Sequence, residues 1–178
     1  LIDLQSLVEA AEQLPDYAID TWRPQQQGSI DIIIRADGSW WHQGGLIKRH
    51  KMVQLFSRLL SYRDGHYCLI TPVEQLNIQV ETLPFVIVQA TQLADKVWQL
   101  TTNVGDQIML TQPNQLHVDL AVPNQIPQVL VRQQLWATLS RQAYYDMALE
   151  VHSIEREGQT VGQLQSGNCS YDFGILEY

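Results

Sequence analysis

An α+β fold of two related halves with mostly antiparallel sheet is what this chain predicts, and three observations carry the prediction. The succession of local patterns is helix, strands, helix, many strands, helix, strands, with the later strands separated by Asn, Gly, Asp and Pro as in antiparallel meanders. No strand–helix–strand alternation of the nucleotide-binding kind interrupts it. A helix-sized pattern also occurs twice: Arg49, Met52, Val53, Phe56, Ser57, Arg58 and Tyr62 are answered, 83 positions later, by Arg132, Leu135, Trp136, Leu139, Ser140, Arg141 and Tyr145. Apolar matches are common to any two amphipathic helices, so the repeated Arg, Ser-Arg and Tyr give the comparison its weight.

The elements follow in order. Leu4, Leu7, Val8, Ala11 and Leu14 have helical spacing, and Pro15 ends that helix. Ile30 to Ile34 is a strand. Ala36-Asp37-Gly38-Ser39 is a hairpin turn, because Asp-Gly tolerates positive φ, and Trp40-Trp41-His42 is the return strand. Gly44-Gly45 then leads into a helix over Arg49 to Tyr62. Arg63-Asp64-Gly65 turns into a strand, His66 to Ile70, stopped at Thr71-Pro72. Strands are expected at Gln75–Val80, Phe85–Ala90, Lys96–Thr101, Gln107–Leu110 and Leu116–Leu120. A second helix is expected over Val129 to Ala148, and short closing strands over Val151 to Tyr178. The two halves divide as 1–77 and 78–178.

On a helical projection Met52, Val53, Leu55, Phe56, Leu59 and Leu60 fill one apolar arc, and Arg49 falls inside it near the helix start. Arg132 holds the same place relative to Leu135, Trp136 and Leu139. A helix N-terminus disfavours a cation, and a guanidinium facing the core needs a partner. The structural reading pairs each arginine with a carboxylate such as Asp31, Glu74, Glu81 or Asp119. The functional reading has Arg49 and Arg132 hold a ligand carboxylate or phosphate, a task suited to the guanidinium fork.

Composition narrows the partners. With 17% charged residues and a formal net charge of −8 the surface is acidic, which disfavours duplex nucleic acid and an anionic membrane face. Two cysteines in 178 residues are no disulfide framework, so free thiols in the cytoplasm are expected. His66 and Cys68 share a strand face without a second pair to complete a metal set. The Gly-x-Ser-x-Gly, Walker, Gly-x-Gly-x-x-Gly and His-Glu-x-x-His signatures are absent.

Several runs are similar to a bacterial family, domain of unknown function family 1285. They are Arg35-Ala36-Asp37-Gly38-Ser39-Trp40, Gly45-Leu46-Ile47-Lys48-Arg49, Met52 through Ser57, and Tyr67-Cys68-Leu69-Ile70-Thr71-Pro72-Val73-Glu74. Pro84-Phe85-Val86, Val131-Arg132 with Leu135, and Arg141 with Tyr144-Tyr145 extend the likeness. The resemblance implies a duplicated α+β structure whose C-terminal half is pleckstrin-homology-like, a small-molecule site where the halves meet, and a role in regulation or signalling. The resulting expectation is a soluble, cytoplasmic, non-enzymatic module without cofactor or metal. Its site has Trp40 as an apolar wall, Arg49 and Arg132 on an anion, and Thr71 and Glu74 as polar contacts. Two alternatives stand beside it: a protein–protein adaptor with no small-molecule ligand, and an enzyme using Cys68, His42 or Glu74.

Overall fold

The structure is a computed structural model that describes residues 4–12, 19–122 and 124–176. It forms two compact units, Leu1–Pro84 and Phe85–Tyr178. The division therefore falls after the last strand of the first unit, whereas a boundary at 77/78 would cut through that strand. Both units are sheet-rich with few helices, an α+β architecture of mostly antiparallel strands.

In the first unit α1 (Leu4–Glu12) precedes a six-stranded sheet. The end expected for this helix at Pro15 lies outside the described residues. β1 (Gln26–Ile34), β2 (Trp40–His42) and β3 (Gly45–Leu46) form a meander, and α2 (His50–Leu59) follows. β4 (Leu60–Arg63), β5 (His66–Ile70) and β6 (Glu74–Val80) form a second meander, and β6 lies parallel to β1. The order is β3-β2-β1-β6-β5-β4. Alternation turns Ile32, Ile34 and Trp40 inward, and α2 adds Val53, Phe56 and Leu59 to that core. The Trp40 and Phe56 rings stand 6.4 Å apart. α2 is shorter than expected: Leu60, Ser61 and Tyr62 pair with Leu69, Cys68 and Tyr67 across an Asp64-Gly65 turn. The Tyr62 and Tyr67 rings, 4.9 Å apart, are a cross-strand aromatic pair.

The second unit repeats the same strand order. β7 (Phe85–Gln92), β8 (Trp98–Thr102) and β9 (Gln107–Met109) are one meander; β10 (Leu116–His117), β11 (Gln128–Arg132) and β12 (Leu135–Leu139) are the other, with β12 parallel to β7. Read outward from β9, the order β9-β8-β7-β12-β11-β10 is that of the first unit strand for strand. The shared feature is this six-strand order, present in both halves. After it come α3 (Arg141–Ala148) and an antiparallel sheet of β13 (His152–Arg156), β14 (Gln159–Ser166) and β15 (Cys169–Ile175).

This corrects both the repeat and the second helix. The duplicated sheets start at Gln26 and Phe85, and their closing strands at Glu74 and Leu135, so equivalent positions lie about 60 apart rather than 83. Residues 129–139, expected as helix, are the β11–β12 hairpin. From Leu135 to Leu139 buried and half-buried residues alternate, the period of a strand. The helix starts only at Arg141, where Ser140 is the N-cap and its Oγ accepts the Ala143 amide at 3.2 Å. Ser57, its supposed counterpart, lies inside α2 and donates to the Gln54 carbonyl at 2.7 Å.

A local repeat marks the true alignment. Ala36-Asp37 and Trp40 recur as Ala94-Asp95 and Trp98. In each turn the first residue and the fifth close the hairpin: Arg35 N to Ser39 O at 2.9 Å, and Leu93 N to Val97 O at 2.8 Å. The aspartate accepts the amide two residues on, 2.9 Å at Ser39 and 3.2 Å at Val97. The next position is left-handed in both, Gly38 at φ 82 and Lys96 at φ 64. Each tryptophan is buried with its indole N–H lacking a partner.

Candidate functional site

The five residues expected to form one site are dispersed among structural roles. Trp40 is core. It is paired with Ile34, whose parallel neighbour is Val80, the far end of β6 from Glu74. Six residues of strand, roughly 20 Å, separate those ends. Thr71 is fully buried and closes the β5–β6 turn: its amide donates to the Glu74 carbonyl at 2.9 Å and its Oγ accepts the Glu74 amide at 3.1 Å. Glu74 is 7% exposed, and burial lifts its carboxyl above the ordinary value of 4.5.

The two arginines are not equivalent. Arg49 is exposed and stands at the N-cap of α2 with no side-chain capping bond, because the helix starts one residue later and frees its side chain from the apolar arc. Arg132 ends β11, so its topological counterpart is the end of β5. Its guanidinium donates to Asp106 at 2.7 Å and lies 5.0 Å over the Phe85 ring. The partner is none of the four carboxylates expected from sequence. Arg63 does meet carbonyls inside the first unit, donating to Trp22 O at 2.8 Å and Ile19 O at 2.7 Å.

The candidate nucleophile also has a structural environment. Cys68 is buried with its thiol toward the Ser61 carbonyl at 3.8 Å, and desolvation pushes its pKa up to about 11. A thiol held neutral in this way is a poor nucleophile at physiological pH. His66, one strand position pair before it, is exposed. Among the described residues no three His, Cys, Asp or Glu side chains converge as a metal set.

A groove of about 1060 Å³ lies wholly within the second unit, lined by none of the residues expected to form the site. One wall is the connection between β10 and β11, bringing Val122 and Ile126, each 47% exposed. The other walls are Tyr144 and Tyr145 of α3 and Phe173 and Ile175 of β15. Phe173 and Tyr144 stack at 5.2 Å, and Tyr144 meets Tyr145 edge-on at 5.8 Å. Arg141, in the first turn of α3, lies 5.7 Å over the Tyr145 ring. Among the described residues it makes neither a hydrogen bond nor an ion pair; the ion pairs are Arg132–Asp106 and Arg156–Asp172. Asp119 lines the same groove, and its Oδ1 accepts the Ala121 amide at 2.9 Å. The cleft joins an aromatic and apolar wall to polar side chains, one guanidinium without an ion pair and one carboxylate, chemistry suited to an amphiphilic ligand. The signal in the sequence was Arg141 with Tyr144-Tyr145, neighbours on one helix face at i, i+3 and i+4.

Comparison with known proteins agrees with this architecture. Residues 18–83 match the family described as "Domain of unknown function (DUF1285), N-terminal domain", and residues 84–173 match "Protein of unknown function (DUF1285), C-terminal domain". The second match includes α3 and most of β15. A DUF1285 family protein from Silicibacter pomeroyi DSS-3, solved by crystallography, is 29% identical with a TM-score of 0.82, covering 99% of this chain and 97% of its own. One from Shewanella baltica OS155 is 28% identical with a TM-score of 0.55, covering 65% of this chain and 87% of its own. No protein of curated function matches. No described helix is long and apolar enough to cross a membrane. From residue 18 to residue 173 the two family matches run without a gap, and the chain belongs to the DUF1285 family, whose function is uncharacterised.

Proposed function

We propose that this protein is a regulatory or signalling module that binds a small amphiphilic molecule, through an anionic group, in the groove of its second unit. The observation that carries this reading is Arg141, a guanidinium without an ion pair among the described residues, which lies over Tyr145 and lines a partly aromatic cleft. The planar cation would take a carboxylate or phosphate while Tyr145, Ile175 and Ile126 cover the apolar body. Thr71 and Glu74 have no part in it, and Arg132 is reserved for Asp106. The acidic surface disfavours nucleic acid and an anionic membrane face as partners.

A thermal-shift screen of small carboxylates and phosphates with apolar bodies tests the proposal. A ligand at a hundred times its Kd adds about 2.7 kcal/mol of stability, a shift of several degrees for a domain of this size. That shift should vanish in Arg141→Gln and Tyr145→Ala and persist in Arg49→Met. Shifts that survive Arg141→Gln would discard the groove as the site.

One observation favours a second reading, docking of a protein partner. Tyr145 and Leu149, four residues apart on the same side of α3, are 53% and 83% exposed. Loss of partner capture in Leu149→Ser with ligand shifts intact would separate it from the first.

A further inference from the structure

We infer that the groove selects a dipolar ligand, with an anionic end on Arg141, a cationic end on Asp119 and an apolar body between; this rests on the binding role proposed above. Arg141 and Asp119 are the charged residues lining the groove, and they make no ion pair with each other. Asp119 is not used up by its local role. Its Oδ1 accepts the Ala121 amide, and its Oδ2 has no hydrogen bond among the described residues. A ligand long enough to fill the cleft displaces water from both groups. Covering a carboxylate without pairing it is costly, so a simple anion that meets Arg141 is penalised at Asp119, and a simple amine the reverse. A molecule bearing both charges avoids both penalties.

Size narrows the class. About 1060 Å³ is at the upper end of small-molecule sites and exceeds the needs of one free amino acid. The rings of Tyr144, Tyr145 and Phe173, with Val122, Ile126 and Ile175, offer area for two apolar side chains. A short peptide with free termini has this shape: an ammonium, an apolar body, and a carboxylate several bonds away.

Isothermal titration calorimetry with three forms of one dipeptide tests the inference. The probes are Leu-Phe with both termini free, N-acetyl-Leu-Phe without the cation, and Leu-Phe amide without the anion, at a pH where the free amine is protonated. The free dipeptide should bind at least tenfold more tightly than each blocked form. Asp119→Asn keeps an oxygen for the Ala121 amide but loses the charge, and it should equalise the free and acetylated forms. Arg141→Gln should equalise the free and amidated forms. If N-acetyl-Leu-Phe binds as well as the free dipeptide, and Asp119→Asn changes nothing, the dipolar assignment is overturned while the anion site on Arg141 stands. If none of the three binds while other carboxylates shift the melting temperature, the dipolar assignment is likewise overturned. If no anion of any kind registers, the binding role falls with it.

Discussion

The two units carry the same six-strand order, and among the described residues the groove that combines aromatic walls with an unpaired cation belongs to the second. In the first, α2 sits between the third and fourth strands and buries Val53, Phe56 and Leu59 beneath the sheet. In the second, the third and fourth strands are joined without a helix, α3 comes after the sixth strand, and β13–β15 are added beyond it. The groove is built mainly from what the copies do not share, the β10–β11 connection, α3 and β15, with Leu139 of the shared β12 beside them. Duplication supplied a scaffold, and the residues with binding chemistry lie on the departures from it.

The equivalence of the sheets is tested most strongly at their matched tryptophans. Trp40→Ala and Trp98→Ala should each cost about 3–5 kcal/mol in urea unfolding, since both are buried at the start of the second strand. The corresponding Phe variants should cost far less, because neither indole N–H has a hydrogen bond to lose. A large cost at one tryptophan with none at the other would break the comparison.

The matched turns come next. At the left-handed position Gly38→Ala should cost about 1–2 kcal/mol, and Lys96→Gly should gain up to about 1 kcal/mol by relieving the side-chain clash. Opposite signs at equivalent positions sharpen the alignment in which Gly38 answers Lys96. Smaller again is the contrast between the arginines. Arg132→Met should cost about 0.5–1 kcal/mol through its partly exposed pair with Asp106, and Arg49→Met less than about 0.5 kcal/mol.

The subtlest effect is visible only as a pH dependence. Burial raises the folded pKa of Glu74 above 4.5, so the folded state holds that proton longer than the unfolded chain. Below 4.5 both states are protonated and the burial carries no charge penalty. As pH rises from 4.5 through the folded pKa, stability is lost and then levels off. Glu74→Gln should therefore be more stable than the parent at neutral pH and converge with it in acid. A variant that is less stable at neutral pH would contradict this account of Glu74.

Local chemistry made much of the fold legible. Asp37-Gly38 and Asp64-Gly65 turns, the stop at Thr71-Pro72 and most strands follow from residue types that tolerate those backbone angles. Val129, Leu130, Leu135, Trp136 and Leu139 satisfy helical spacing in part, which is why a helix is expected there, while the alternation from Leu135 to Leu139 is that of a strand. That error carried the site with it, since the interior place given to Arg132 required a helix. The Ala-Asp-x-x-Trp repeat was readable, but matched apolar residues at a different spacing competed with it. The groove was not readable, because its walls come from separate segments that only the tertiary fold brings together.

The central claim is that binding belongs to the α3 groove and not to Trp40, Arg49, Thr71 and Glu74. An amide NMR titration with the free Leu-Phe dipeptide tests it most directly. The account predicts shifts concentrated in the β10–β11 connection, α3 and β15, and abolished by Arg141→Gln. Shifts concentrated at Trp40, Arg49 and the Thr71–Glu74 turn, with α3 unmoved, would contradict it.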